Sequence, residues 1–141
     1  MSDARERGDD ARLQELFADP PAPIPKFNWG AFLIPPIWGV ANGQWPGVFF
    51  LPLWLFIDNV LRGPRVFGVW STVGGVVLAG ITIAAQTIFA ANANRLAWHR
   101  FVGRLTPEQY ARRQRAWGIG GIVTIAVMAV WITFFVLGYG N

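Results

Sequence analysis

At 141 residues, 53% apolar and only 14% charged, the chain departs from an ordinary soluble domain, which runs about 25% charged. Its ionisable side chains avoid long stretches: Asp58 alone lies between Gly30 and Leu61, none lies between Val66 and Ala93, and Tyr139 alone lies between Ala116 and Asn141. With no cysteine, a disulfide framework, a thiol nucleophile and a thiolate metal site are all excluded.

Residues 1–26 read as a polar, disordered tail of mixed charge, with a turn or two of helix allowed over ARLQELFA, where Leu13, Leu16 and Phe17 share one side, and closed by DPPAPIP, which forces an extended connector. No apolar segment with a small-residue cleavage site occurs there, so the first apolar stretch is expected to stay in the mature protein.

That stretch, residues 27–43, is apolar yet too short to cross a bilayer, and it is broken. Asn28 suits an N-cap, with Phe27 and Phe32 at the two positions of a hydrophobic staple. Pro35 and Pro36 stop the helix, and Asn42-Gly43 signals a turn. The expectation is a short kinked helix lying in the cytoplasmic interface, with Trp29, Trp38 and Trp45 at headgroup depth. It serves either as an anchor or as one wall of a binding surface.

Three segments suit membrane spans: 45–61, 67–91 and 117–139. A bilayer core needs about 20 helical residues, so the first is short. The basic residues fall into three groups: Arg5, Arg7, Arg12 and Lys26; Arg62 and Arg65; and Arg95, Arg100, Arg104, Arg112, Arg113 and Arg115. Three spans with the N-terminus inside place ten of these on the cytoplasmic side and two outside. A fourth span over 29–41, or a re-entrant hairpin over 29–61, would divide them six and six.

Within the spans two features carry polar groups. Asp58 sits toward the outer leaflet with Arg62 four residues later, an interfacial ion pair or, alternatively, a proton or ion site. Ser71, Gly75, Ala79, Thr82, Gln86 and Ala90 make one small and polar face of the second span. Such faces let helices approach in lipid. This one is expected to meet Gly118, Ala126, Ala129 and Thr133 of the third span, or a partner.

The cytoplasmic elbow, residues 92–116, contains TPEQ, a helix start with Thr106 as cap, Pro107 first and Gln109 completing a capping box. Arg112, Arg113 and Arg115 are placed to meet anionic lipid headgroups, at about 1 kcal/mol each. Membrane proximity explains the charge without nucleic acid. His99 is the single histidine and stands beside Arg100, as a solvated side chain does. No carboxylate pair, metal-ligand set or catalytic group is evident, so neither an enzyme nor a cofactor is expected.

FNWGAF, PPIWG, Asn94 with Leu96, Ala97 and Trp98, and QRAW at 114–117 together resemble a family of small multi-pass bacterial membrane proteins of the domain-of-unknown-function kind. The resemblance covers residues 27–117 and departs at Ala93, where it implies glycine, and over 105–110. It implies a polar tail, an aromatic first segment and a charged elbow, and supplies no mechanism.

The fold expected is all-α and integral to the membrane: three transmembrane helices preceded by a short kinked interfacial helix, in the bacterial inner membrane with the N-terminus cytoplasmic. The function expected is a structural or interaction role through an aromatic, arginine-rich cytoplasmic face formed by Asn28, Trp29, Phe32, Trp38, Asn94, Trp98, Gln114 and Trp117. Partners expected are the lipid bilayer and a membrane protein or a second copy. Alternatives are an accessory subunit of a respiratory or photosynthetic complex, or a small oligomeric transporter using Asp58 and Gln86. Trp29 or Phe32 is expected to pack on Trp98 or Trp117, with Asn94 and Gln114 satisfying backbone freed by the prolines.

Overall fold

The computed structural model describes residues 2–63 and 68–139, so Arg65, the expected first residue of the second span (Phe67) and Asn141 lie outside the described residues. The elements in chain order are α1 (Ser2–Phe17), α2 (Trp29–Leu33), α3 (Pro35–Asn42), a 3₁₀ turn (Trp45–Phe49), α4 (Phe50–Leu61), α5 (Val69–Trp98) and α6 (Pro107–Tyr139). No strand occurs among the described residues. Two helices, α5 and α6, are long and apolar enough to cross a membrane, and Trp45–Leu61 is a shorter apolar helix.

The tail departs from expectation in extent: helix runs over Ser2–Phe17, well beyond a turn or two within ARLQELFA. Ala, Arg, Glu, Gln and Leu dominate it, all strong helix formers, although it lacks an apolar face. The connector after it is tied down. Lys26 pairs with Asp19 at 2.8 Å, and Ile24 is buried in the core.

Residues 27–43 form a helical hairpin, not one kinked helix. Asn28 caps α2, its Oδ1 accepting the Ala31 N–H at 2.9 Å, and the Phe27 and Phe32 rings meet at 5.8 Å as a staple. Pro35 and Pro36 end α2 and begin α3, where a missing N–H does no harm. Gly43 closes α3 in the left-handed conformation, φ 70°, with the Arg100 guanidinium against it. The chain then folds back over α3 where two glycines allow it: a methyl on Gly39 would stand 3.2 Å from the Gly47 Cα, and one on Gly47 would strike the Pro35 carbonyl.

This hairpin is wedged between the two long helices. On one side the Asn28 N–H donates to the Ala90 carbonyl of α5 at 3.1 Å. On the other, α2 rests on α6: Gly30 lies against Trp117, Trp29 over Gly118 and Leu33 over Gly121. Alanines 90, 93 and 97 give α2 room to approach α5, and with Ile24, Ala31, Trp38, Tyr110 and Ala111 they form the core. Trp38 is therefore a core residue with no exposed surface, not a headgroup anchor, whereas Trp29 and Trp45 are 60% and 66% exposed.

The small face of α5 meets α4, where the expectation was the third span, here part of α6, or a partner. Ser71 Oγ donates to the Val60 carbonyl, Gly75 lies against Leu61, and the Phe50 and Phe89 rings are 5.6 Å apart. The wedge provides the reason, because α2 occupies the space between α5 and α6. Past Gly121, α6 is exposed, Val127, Val130, Trp131 and Phe134 included. At the elbow α5 continues to Trp98, and α6 starts at Pro107 as the TPEQ signal predicts. The capping box forms there, with Thr106 N–H donating to Gln109 Oε1 at 2.9 Å and Gln109 N–H to Thr106 Oγ1 at 3.3 Å.

Gly30 tests the wedge. A methyl there would stand 2.7 Å from Trp117 Cβ and 3.0 Å from Trp38 Cδ1, whereas nothing lies within 4 Å of one on Gly120. Gly30→Ala is expected to cost about 1–3 kcal/mol by overpacking. Gly120→Ala is expected to be neutral or up to about 1 kcal/mol stabilising through helix propensity. Thermal unfolding in mild detergent compares the two, and equal midpoints would mean that α2 is not held between the helices.

Candidate functional site

The best-defined site is a buried network of side-chain amides at the hairpin end of the bundle. Asn28 is its centre. Its Nδ2 donates to Asn94 Oδ1 at 2.6 Å and to Gln114 Oε1 at 2.9 Å, linking α2 to both long helices. Its Oδ1 caps α2, its N–H donates to Ala90 and its carbonyl accepts from Phe32 at 3.0 Å. Every polar atom of a residue with 1% exposure is thus used.

The network extends outward from there. Gln114 Oε1 also accepts the Trp38 indole N–H at 2.8 Å, and its Nε2 donates to Asn42 Oδ1 at 3.3 Å. Asn42 Nδ2 returns to the Trp38 carbonyl at 2.9 Å. Asn94 Nδ2 donates to the Pro25 carbonyl at 2.7 Å, fixing the end of the connector, and its Oδ1 receives the Tyr110 hydroxyl at 3.4 Å. Burial pushes the Tyr110 phenol above its ordinary range, so it stays a neutral donor.

A second amide acts where the chain is broken. In a continuous helix the Phe32 carbonyl would accept the N–H of Pro36, which has none. Gln86 Nε2 on α5 donates to that carbonyl instead, while Gln86 Oε1 accepts the Trp54 indole N–H of α4 at 2.9 Å. The expectation that Asn94 and Gln114 would serve the proline-freed backbone is corrected on this point. Gln86, expected as a polar member of the face with Ser71, Gly75, Ala79 and Thr82 or as a transport residue with Asp58, is the group that does so. Thr82 Oγ1 turns to its own helix, donating to the Leu78 carbonyl at 2.8 Å.

Among the described residues the aromatic side chains form three clusters, one of which joins Trp38, Phe89 and Phe50 between the hairpin, α5 and α4. Trp29 lies edge-on to Phe27 at 4.9 Å and to Phe32 at 6.1 Å. At the elbow, Trp98 and Phe101 pack on Tyr110 at 5.3 and 5.4 Å, and the Arg113 guanidinium covers Phe101 at 4.6 Å. The α2 segment meets α6 at Trp117 and Gly118, the expected start of the third span, through Gly30 and the Cβ of Trp29, while Trp98 takes Tyr110 as its partner. Phe27, Phe32, Trp98 and Trp117 all pack against the same buried core.

Asp58 and Arg62 stand apart, at the other end of α4. Their pair spans 3.0 Å and is exposed, an arrangement worth little in solvent. No hydrogen bond joins Asp58 to Gln86 among the described residues, and both polar ends of Gln86 are engaged elsewhere. No group of three His, Asp or Glu side chains that could hold a metal ion occurs among the described residues. What the amides can do is hold: donors and acceptors are matched without a charge. Asn42, Trp54 and Tyr110 were not singled out from the sequence as polar partners. The signal was present, since each carries a polar group within or beside an apolar stretch that must be satisfied when buried.

Asn28→Asp replaces both Nδ2 donors by oxygen, facing two acceptors. An unpaired buried carboxylate costs about 3–5 kcal/mol, so the variant is expected to unfold well below Asn28→Ala at pH 8. The gap should narrow as the pH falls and the carboxyl, whose folded-state pKa is raised by burial, regains a proton and a donor. Wild-type midpoints at both pH values would refute the network. Gln86→Leu, which orphans the Phe32 carbonyl and the Trp54 indole, is expected to cost about 1–3 kcal/mol in the same assay.

No family model, curated protein or solved structure matches the chain.

Proposed function

We propose that the chain is a non-enzymatic, multi-pass protein of the bacterial inner membrane. Its cytoplasmic end presents an aromatic and arginine-rich face to a membrane-protein partner. The carrying observation is the bareness of α6. Its most apolar 18-residue window has a mean hydropathy of 2.4 with 6% buried, and that of α5 has 1.9 with 22% buried. The core helix of a soluble protein is mostly buried, and soluble monomers rarely expose apolar patches beyond a few hundred Å². Lipid or an apolar partner is what such a surface requires.

Three spans agree with the arrangement of elements. The 12 residues of α4 rise about 18 Å and the 5 of the 3₁₀ turn about 10 Å, close to the ~30 Å of a hydrocarbon core. A hairpin that enters and leaves on one side is compatible with a ten-to-two division of the basic residues, which supports this orientation. Irregular backbone at membrane depth is tolerated where protein covers it, and the proline break is so covered by Gln86. A non-enzymatic role is supported by an amide network already consumed by the fold. The exposure of α6 beyond Gly121 also favours the accessory-subunit reading, in which a helix of a larger assembly lies against it.

Because the chain lacks cysteine, single cysteines report its orientation. In intact cells Arg62→Cys is expected to react with a membrane-impermeant maleimide and Arg104→Cys to react only after lysis. The reverse pattern would overturn the orientation, and equal labelling of both would overturn the membrane reading. Trp45→Ala, at an exposed tryptophan outside the amide network, is expected to preserve the fold and reduce partner recovery after mild detergent extraction.

A further inference from the structure

One surface feature is left unused by the amide network. Between the hairpin and α6 runs an open groove of about 480 Å³, lined by Phe27, Trp29, Arg115, Gly118, Ile119 and Ile122. That volume falls within the ~300–1,000 Å³ of small-molecule sites. Gly118 makes its floor: Trp29 Cβ would stand 3.3 Å from a methyl there, and any longer side chain would fill the space. Ile119 and Ile122 carry the groove down the exposed apolar surface of α6, one and two turns below Arg115. Asn28 and Gln114 also line it, but their amides are engaged within the core.

The charge lies at one end alone. Among the described residues Arg115 has no ion-pair partner, and Arg112 sits one turn above it on the same helix face. A cation at the mouth and a purely apolar wall below match an amphiphile in shape and in charge. We infer that this groove holds one anionic phospholipid, its phosphate on Arg115 and one acyl chain lying over Gly118, Ile119 and Ile122 beneath Trp29. The inference rests on the membrane reading above and goes beyond it. General attraction of basic residues to a charged leaflet is diffuse and unsaturable, whereas a groove takes one molecule. Arginine suits the role because its planar fork grips phosphate oxygens in pairs.

Native mass spectrometry of the full chain in a non-ionic detergent tests this, with dioleoylphosphatidylglycerol and dioleoylphosphatidylcholine as the two probes. The expected result is one phosphatidylglycerol retained per chain, and phosphatidylcholine bound at least about tenfold more weakly. Arg115→Gln should weaken phosphatidylglycerol about tenfold, and Ile122→Trp, which fills the groove from its exposed side, should abolish retention. Unfolding midpoints of both variants near wild type separate this loss from misfolding. Graded binding without a one-to-one plateau would overturn the site, as would equal binding of the two lipids. Dimers that vanish with Ile122→Trp would show that a second copy occupies the groove, and would also overturn it. A chain that stays monodisperse without detergent would instead overturn the membrane reading; one that needs detergent yet retains no lipid fails the groove alone.

Discussion

A helix interrupted by two prolines in apolar surroundings leaves carbonyl groups that its own backbone cannot satisfy, and the rest of this structure is arranged around that constraint. An unpaired buried polar group costs about 1–3 kcal/mol. The donor is supplied from another helix, by Gln86, which also receives the Trp54 indole and so ties α4, α5 and the hairpin at one point. Two turns toward the elbow, Asn94 and Asn28 repeat the logic with Gln114, joining α2, α5 and α6. Amides suit both positions because each is donor and acceptor at once, and a neutral group avoids the desolvation penalty of a charge.

Packing follows from those polar contacts. Because α2 is held between α5 and α6, the long helices meet it and not each other over the apolar half of the bundle. The residues at the contacts are accordingly small: Ala90 and Ala93 on α5, Gly118 and Gly121 on α6, Gly30 and Ala31 on α2. Backbones approach through them, and the larger core side chains, Trp38 of the hairpin and Tyr110 of α6, place their polar tips in the amide network. Small faces and polar links are the means by which helices associate where solvent provides no hydrophobic drive.

Much of this was legible in the residues. The Asn28 cap, the Phe27–Phe32 staple, the capping box at Thr106 and the Asp58–Arg62 pair are local, set by spacing along one helix, and all are present. The partners of the hairpin were not, because spacing carries no information about which face of α5 meets which neighbour. The small stripe lies against α4 at Ser71 and Gly75, and spacing alone could not distinguish that neighbour from the third span. Tryptophan misled for a related reason. Trp29, Trp38 and Trp45 lie in one short aromatic run, yet Trp38 alone turns inward, since it alone reaches an acceptor, Gln114 Oε1. The polar opening segment gave a helix because its composition favours one even without an apolar face.

The order in which the network's members are made has a consequence for biosynthesis. Asn28 leaves the ribosome 66 residues before Asn94 and 86 before Gln114. At about 5–20 residues per second, the hairpin waits several seconds or more with its amides, its indole and its proline-freed carbonyl unmatched. It cannot settle where it finally lies until two later helices have arrived to complete it. The hairpin, made before both long helices, is therefore locked only once they have arrived. A chain truncated before residue 114 lacks the amide that completes this network.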